Sequence, residues 1–360
     1  MARFSLNSAS DQGVSVTQRE GFTVGHLLTD CYVFEGDGTR PILEENVRVL
    51  HEPGLRRVSL PLEVQQWRRA IQAEEERKQA AGEPHRWNNP RFAVESIVLS
   101  RTDEDELPVV QLSLCDADYF DFLATSVNLD RPLREGEPAT LRTQYLEDTD
   151  PVAAPAFLSC SFGVNVAVRT GPDRKMVFAR RSARVAGHNT ERWNSSANEG
   201  LAAVHDVPAD GSPISLHAVA RRALREELAV QDEDEVELEL LAFALDLRGH
   251  QWAAFYRAVL PGLTADDLTR RRSRGVEDKW EHDQFRFVPA DPDSVLDFLL
   301  EEGREWTPCA PALFYMALVR EAVVARSGNP SGRLDVEAAE RRAVDRNAAR
   351  QGAAARPAQA

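Results

Sequence analysis

Apolar positions follow two regimes along the chain. Over the first 150 residues they are short and irregular. Tyr32, Val33 and Phe34 run into the turn Glu35-Gly36-Asp37-Gly38, and residues 62–81 carry Trp67, Ala70 and Ile71 at helical spacing before an exposed charged run. Residues 92–99 and 109–114 read as two strands across an acidic turn at 103–106, followed by a short helical segment at 119–125 with Tyr119, Phe120, Phe122 and Leu123 available for packing. This pattern predicts a smaller α+β domain over residues 1–150, with no catalytic constellation of its own. Pro132, Pro138, Pro151 and Pro155 among charges mark its end.

From residue 156 the pattern sharpens. Residues 157–168 form an apolar strand, Gly171-Pro172-Asp173 turns it, and Met176 to Ala179 returns before the basic pair Arg180-Arg181. A polar loop with Trp193 leads to a segment at 195–204, and residues 208–213 have the composition of an irregular loop. Ser215 is placed to cap a helix reaching about Ala229, with Leu216, Val219, Ala220, Leu224 and Leu228 as its apolar stripe. Val236, Leu238 and Leu240 alternate with Glu237 and Glu239 as a half-buried strand; residues 251–260 and 285–288 make two more. Helices at 293–302 and 311–325 follow. The tail 327–360 has no aromatic residue and too few large apolar groups for a core, which predicts a disordered or loosely helical end.

Composition narrows the function. Asp and Glu number 58 against 43 Lys and Arg, a net charge of -15, so a nucleic-acid-coating role is disfavoured. Residues 1–11 lack the apolar core of a signal peptide, and no stretch approaches the roughly 18 apolar residues that span a bilayer, so no membrane partner and a cytoplasmic location are expected. Cys31, Cys115, Cys160 and Cys309 are widely spaced and form no C-x-x-C pair, which predicts small buried hydrophobes rather than disulfides or a zinc site.

One segment carries chemistry: Arg222-Ala223-Leu224-Arg225-Glu226-Glu227-Leu228-Ala229-Val230. On helical periodicity Ala223, Glu226 and Glu227 share a ridge, while Leu224 and Leu228 point at the sheet. Two neighbouring carboxylates suit a hard divalent cation such as Mg2+ or Mn2+, which takes one or two carboxylates and fills its remaining positions with water and phosphate. Arg222, one turn earlier, can orient one of them. The competing reading is an ordinary solvated ion pair on a surface helix.

The surrounding order resembles the Nudix hydrolase family, whose signature is G-x5-E-x7-R-E-U-x-E-E-x-G-U, with U bulky and apolar. Gly200 stands at the first position and Asp206 at the acidic one; about eight extra residues follow, from Val207 to Ile214, before Arg222, Glu226, Glu227 and Val230. The hairpin ending at Arg180-Arg181, Trp193 before the box, and Trp280-Glu281 with the segment 285–289 extend the likeness over about 156–325. The resemblance implies a Nudix-type α/β/α sandwich around a mixed sheet. It also implies Mg-dependent hydrolysis of a nucleoside diphosphate linked to another moiety, with metal held by Glu226, Glu227 and the Gly200 carbonyl.

This copy departs from the signature where chemistry is sensitive. Ala223 replaces a glutamate that supplies a metal ligand or base, and Ala229 replaces the glycine, a mild change if the backbone there is right-handed. Glu277 and Glu281 are the candidates for a substitute base. Arg180 and Arg181 are candidate phosphate ligands, or else an exposed strand end; Trp193, Trp252 and Trp280 are candidate base-stacking residues, or else core. Arg270-Arg271-Arg272-Ser273-Arg274 reads as a solvated basic loop, with phosphate steering as the alternative. The departures leave a second reading open, a non-catalytic Nudix-fold module that binds a nucleotide-like ligand without cleaving it.

Overall fold

The computed structural model describes residues 20–184, 189–276 and 281–354. Strands β1 (Thr23–Val24) and β2 (Leu27–Leu28) form a minimal hairpin about Gly25, and β3 (Cys31–Glu35) follows. A second group comprises β4 (Val47–Leu50), helix α1 (Leu62–Ala80), β5 (Pro90–Arg101), β6 (Pro108–Asp118) and the short helices α2 (Tyr119–Ala124) and α3 (Leu141–Tyr145). Here β4, β6 and β5 make a three-stranded sheet, with α1 burying Val64 and Trp67.

The larger sheet begins with β7 (Phe162–Thr170), β8 (Lys175–Arg181), β9 (Trp193–Asn194) and β10 (Ala197–Gly200), then α4 (Ala203–Asp206) and α5 (Leu216–Leu228). It continues through β11 (Glu237–Asp246), β12 (Gln251–Leu260), α6 (Ala265–Arg274), β13 (His282–Pro289), α7 (Pro292–Leu299), α8 (Ala310–Ala325) and α9 (Gly332–Ala354). The strand order is β13-β8-β7-β12-β11-β3, with β10 added to β7 and β9 to β8. β7 and β12 run parallel and the other pairs antiparallel, so the sheet is mixed.

Alternation along β7 explains the layering. Val164, Val166 and Val168 join the core under α5, whereas Ala167 joins the core under α7 and α8, so helices cover both faces. The fold is α/β with a mixed sheet. β7 also forks: its end at Val168 and Arg169 pairs with β8, and its start, Gly163 to Val166, pairs with β10. The widening gap between β8 and β10 positions the site.

Two contacts cross the expected divisions of the chain. β3, from the N-terminal part, is the edge strand beside β11, and Gly36 crosses that strand so closely that a Cβ would lie 2.1 Å from the Leu241 carbonyl oxygen. Phe92, Ile97 and Leu112 of the smaller sheet also share one continuous core with Phe162, Leu224 and Phe243. The smaller sheet therefore shares the main core across the proline-rich stretch, while Val64 and Trp67 of α1, Ala124 of α2, Leu141 and Phe157 pack in a cluster of their own. The tail is helical over Gly332–Ala354, because Val336, Ala339 and Ala343 form a narrow stripe of small apolar residues that is fully buried. Arg342 and Arg346 pair with Asp293 and Asp297 of α7 and fix its outer side. All four cysteines are free, and no helix among the described residues is long and apolar enough to cross a membrane.

Candidate functional site

The site is built where β10, the α4 loop and α5 meet. Ser215 caps α5 as expected, its Oγ accepting from the Ala218 N–H at 3.2 Å. The helix then delivers Arg222 and Glu226 one turn apart on the side facing β10. Arg222 is the hub. Its Nε and Nη2 donate to the two carboxylate oxygens of Asp206 at 3.2 and 2.9 Å, Nη2 donates to the Gly200 carbonyl at 3.1 Å, and Nη1 lies 3.1 Å from Glu199 Oε2 and 3.3 Å from Glu226 Oε2. Such a forked geometry suits guanidinium, not ammonium. Asp206 closes its own loop by accepting from the Ala202 N–H at 2.8 Å; of the extra residues after it, 209–213 are exposed and Ile214 returns to the core.

Glu227 faces inward. Its Oε1 accepts from the Asn198 N–H at 2.8 Å and its Oε2 lies 3.0 Å from His282 Nδ1, both side chains being buried. Burial depresses His282 to about 4, so the imidazole stays neutral at pH 7. The helix ends at Ala229, whose φ of 56° and ψ of 32° are left-handed. The right-handed backbone assumed for this substitution is thus not the one adopted, and the position keeps the conformation that favours glycine.

A cavity of about 330 Å³ opens at the fork of β7. Its wall includes Arg91, Asn165, Arg181, Asn198, Glu199, Gly200, Trp252 and Glu281, but neither Glu226 nor Glu227. In the β7–β10 pair Gly163 faces Gly200 and Asn165 faces Asn198, and the two glycines leave the cavity floor without side chains. Glu199 links cavity and helix. Burial pushes its carboxyl up to about 8; Arg222 pulls the other way, and the charges of Glu227, Glu226 and Glu281 add to the rise.

The remaining sequence candidates divide. Arg181 reaches the cavity, paired to Glu281 at 3.1 Å. Arg180 pairs at longer range with Glu191 and Asp283, and with Trp193 it lines a separate surface pocket. Trp193 is buried against Phe298, with the Arg304 guanidinium 5.1 Å over its ring, which is a core environment. Trp252 lies on the cavity wall, edge-on to Phe34. Glu277 and Trp280 lie outside the described residues.

The expected basic loop is instead helix α6. Arg270 pairs with Asp267, Arg271 with Asp234, and Arg272 donates to the Glu227 carbonyl at 2.9 Å while stacking 3.5 Å over Phe285. Those arginines are occupied in holding the fold.

Sequence reading missed Glu199, Arg91, Asn165 and Asn198. Glu199 had a signal, because an acidic residue next to the box glycine on a strand must face either the helix or solvent. Arg91 had none, since only the packing of the smaller sheet brings β5 to the box.

No family model matches the chain, and no curated protein does. Among solved structures, DR0079 from Deinococcus radiodurans aligns with 43% of this chain and 81% of its own, at 13% identity and a TM-score of 0.30. A likeness that low carries no assignment.

Proposed function

We propose that the chain is a Nudix-type pyrophosphohydrolase that cleaves a nucleoside diphosphate linked to another moiety, with Mg2+ or Mn2+ as cofactor. The observation that carries this reading is the Arg222 clip: one guanidinium gathers the Gly200 carbonyl, Asp206, Glu199 and Glu226 beside a cavity of nucleotide scale. The spacing of Gly200, Asp206, Arg222, Glu226 and Glu227 in the sequence supports the same reading.

The donor set fits a divalent cation. Among the described residues no three acidic, histidine or cysteine side chains form a ready cluster, but Mg2+ needs only one or two carboxylates, water and phosphate oxygens supplying the rest. Burial is the main cause of the Glu199 elevation; Arg222 opposes it, and the neighbouring charges of Glu227, Glu226 and Glu281 add to it, a local negative field that a cation at the cavity rim would offset. Glu199, Glu226 and the Gly200 carbonyl would hold it, with Glu227 behind them. When bound, the metal neutralises the diphosphate and activates water.

The chain's own residues do the rest. Arg222 fixes the carboxylates in one orientation, and Asn165 and Asn198 offer amide groups at the cavity floor. Glu281, held by Arg181 at the cavity wall, would take a proton from water in place of the glutamate absent at 223.

The test is a hydrolysis screen of the full chain against nucleoside diphosphate sugars, dinucleoside polyphosphates, NAD-like compounds and nucleoside triphosphates, with and without Mg2+ or Mn2+. Metal-dependent turnover that Glu226→Gln reduces by at least about tenfold supports the enzyme. A specific observation favours the alternative of a non-catalytic nucleotide-binding module: Ala223 is fully buried among apolar side chains and places no carboxylate in the site. Ligand binding without turnover of any substrate in the screen would select that reading.

A further inference from the structure

Arg91 belongs to β5 of the smaller sheet, yet its guanidinium lines the cavity above Gly200, where a Cβ would lie 3.6 Å from Arg91 Nη1. Two rings from α2 hold it there. The guanidinium carbon lies 4.7 Å from the ring centre of Tyr119 and 5.7 Å from that of Phe122. A cation resting on ring faces gives up part of its hydration but keeps its N–H edge available.

Of the other arginines on the cavity wall, Arg181 is engaged by Glu281 and Arg248 is exposed to solvent, while Arg222, beneath Gly200, is engaged by three carboxylates. Arg91, half-buried, differs from Arg181 and Arg222 in having no hydrogen bond or ion pair through its side chain among the described residues. Glu199 and Glu281 act on it only at longer range, and burial lowers its pKa from the ordinary arginine value. Asn198 adds a donor on the same cavity wall: its Oδ1 accepts from Asn194 Nδ2 at 2.7 Å, and its Nδ2 makes no hydrogen bond among the described residues. An unpaired planar guanidinium, a free amide donor and a glycine floor together form a receptor for an oxyanion. Glu199 and Glu281 disfavour a bare carboxylate guest, whereas a phosphate that shares a divalent cation with them is tolerated.

We propose that Arg91 receives a phosphate oxygen of the ligand, so that the N-terminal part of the chain contributes a specificity-determining residue for a diphosphate-bearing substrate. The identity of the guest rests on the pyrophosphohydrolase reading; the contact itself does not require turnover.

The probe is methylenediphosphonate, a diphosphate that hydrolysis cannot consume, titrated into the full-length chain by calorimetry with and without Mg2+. Arg91→Gln is expected to weaken its binding by at least about tenfold, the effect of losing a charge-assisted hydrogen bond. Arg91→Lys, which keeps the charge and loses the fork, should fall between the two. Mg2+ titrated alone should bind all three alike. If Arg91→Gln does not fold, Arg91→Lys decides the matter by the same titration. Affinity equal to the native chain in a folded variant, or no binding of the probe by the native chain, overturns the assignment. Binding that depends on Arg91, in a chain that turns over no nucleoside diphosphate, would remove the hydrolase reading and leave the phosphate contact standing.

Discussion

The backbone N–H of Asn198 on β10 donates to Glu227 Oε1 on α5 at 2.8 Å, so a carboxylate proposed for metal chemistry also pins the helix to the sheet. The two roles separate by substitution. Glu227→Gln keeps an oxygen acceptor for Asn198 and should alter stability by less than about 1 kcal/mol, while Glu227→Ala orphans the buried N–H and should cost about 1–3 kcal/mol. Urea unfolding measures both. In Mg2+ the native chain should gain stability through linkage and Glu227→Gln should gain less. Equal gains would confine Glu227 to the structural role.

Ala229 occupies a left-handed helix terminus, a conformation that costs an L-residue about 1–2 kcal/mol relative to glycine. Ala229→Gly should therefore stabilise the chain by about 0.5–1 kcal/mol, even after the added flexibility of the unfolded state is counted. A lower melting temperature for the variant would show that the Ala229 methyl, which is buried, contributes more packing than the backbone loses in strain.

How far the sequence was legible depends on whether the signal was local. The cap at Ser215, the stripe Leu216-Val219-Ala220-Leu224-Leu228 and the strand at Gln251–Leu260 follow from spacing alone, and the structure has them there. The Ile42 to Leu240 bridge, the close crossing at Gly36 and the arrival of Arg91 over Gly200 depend on chain separations that no periodicity encodes. The tail misled for a related reason: alanines at 339 and 343 look too small to build a core, but small residues let two helices approach closely. Arg222 was identified as an orienting residue, while the Glu199 carboxylate it also holds lies one residue from a position read only for its carbonyl.

Because Phe92, Ile97 and Leu112 share a core with α5 and the main sheet, residues 156–325 expressed alone should expose that core and lose β3 from the sheet edge. We expect an aggregating or molten product, in contrast to a soluble full-length chain. A cooperative thermal transition in the isolated fragment would restore the two-domain division near residue 150.

Two buried groups at the cavity end of the β11–β12 hairpin titrate in opposite senses. Burial pushes Asp246 up to about 6, although its Oδ1 accepts from the N–H groups of Arg248 and Gly249. Between its ordinary value of 3.8 and about 6 the folded state keeps a proton that the unfolded chain has lost, so this group's contribution falls as pH rises through that window. His250, which burial and Arg142 depress to about 4, does the reverse: stability is lost as pH falls from 6.5 toward 4. Asp246→Asn keeps the accepting oxygen and removes only the first effect. Its stability relative to the native chain should rise from pH 4 to 6 and then level off, as read by denaturant unfolding at each pH. A constant difference across that range would refute the assignment.

The sharpest test concerns position 223. Ala223 has no exposed surface and lies three and four residues before Glu226 and Glu227, so a glutamate there enters the core on the same ridge. Without metal, Ala223→Glu adds volume and a carboxylate near Glu227, and should destabilise the chain by at least about 1–3 kcal/mol, with one carboxyl of the group forced to hold a proton. Ala223→Gln adds nearly the same volume without charge and serves as the control. If the ridge faces a divalent site, Mg2+ should raise the melting temperature of Ala223→Glu by more than it raises that of the native chain or of Ala223→Gln, because the third carboxylate binds the same cation. A chain impaired only at this position should also gain metal-dependent turnover, whereas a chain whose base is Glu281 should lose it on Glu281→Gln and change little on Ala223→Glu. Equal Mg2+ responses in all three proteins, with no change in hydrolysis from either glutamate substitution, would remove the metal from this helix and leave the nucleotide-binding module as the better account.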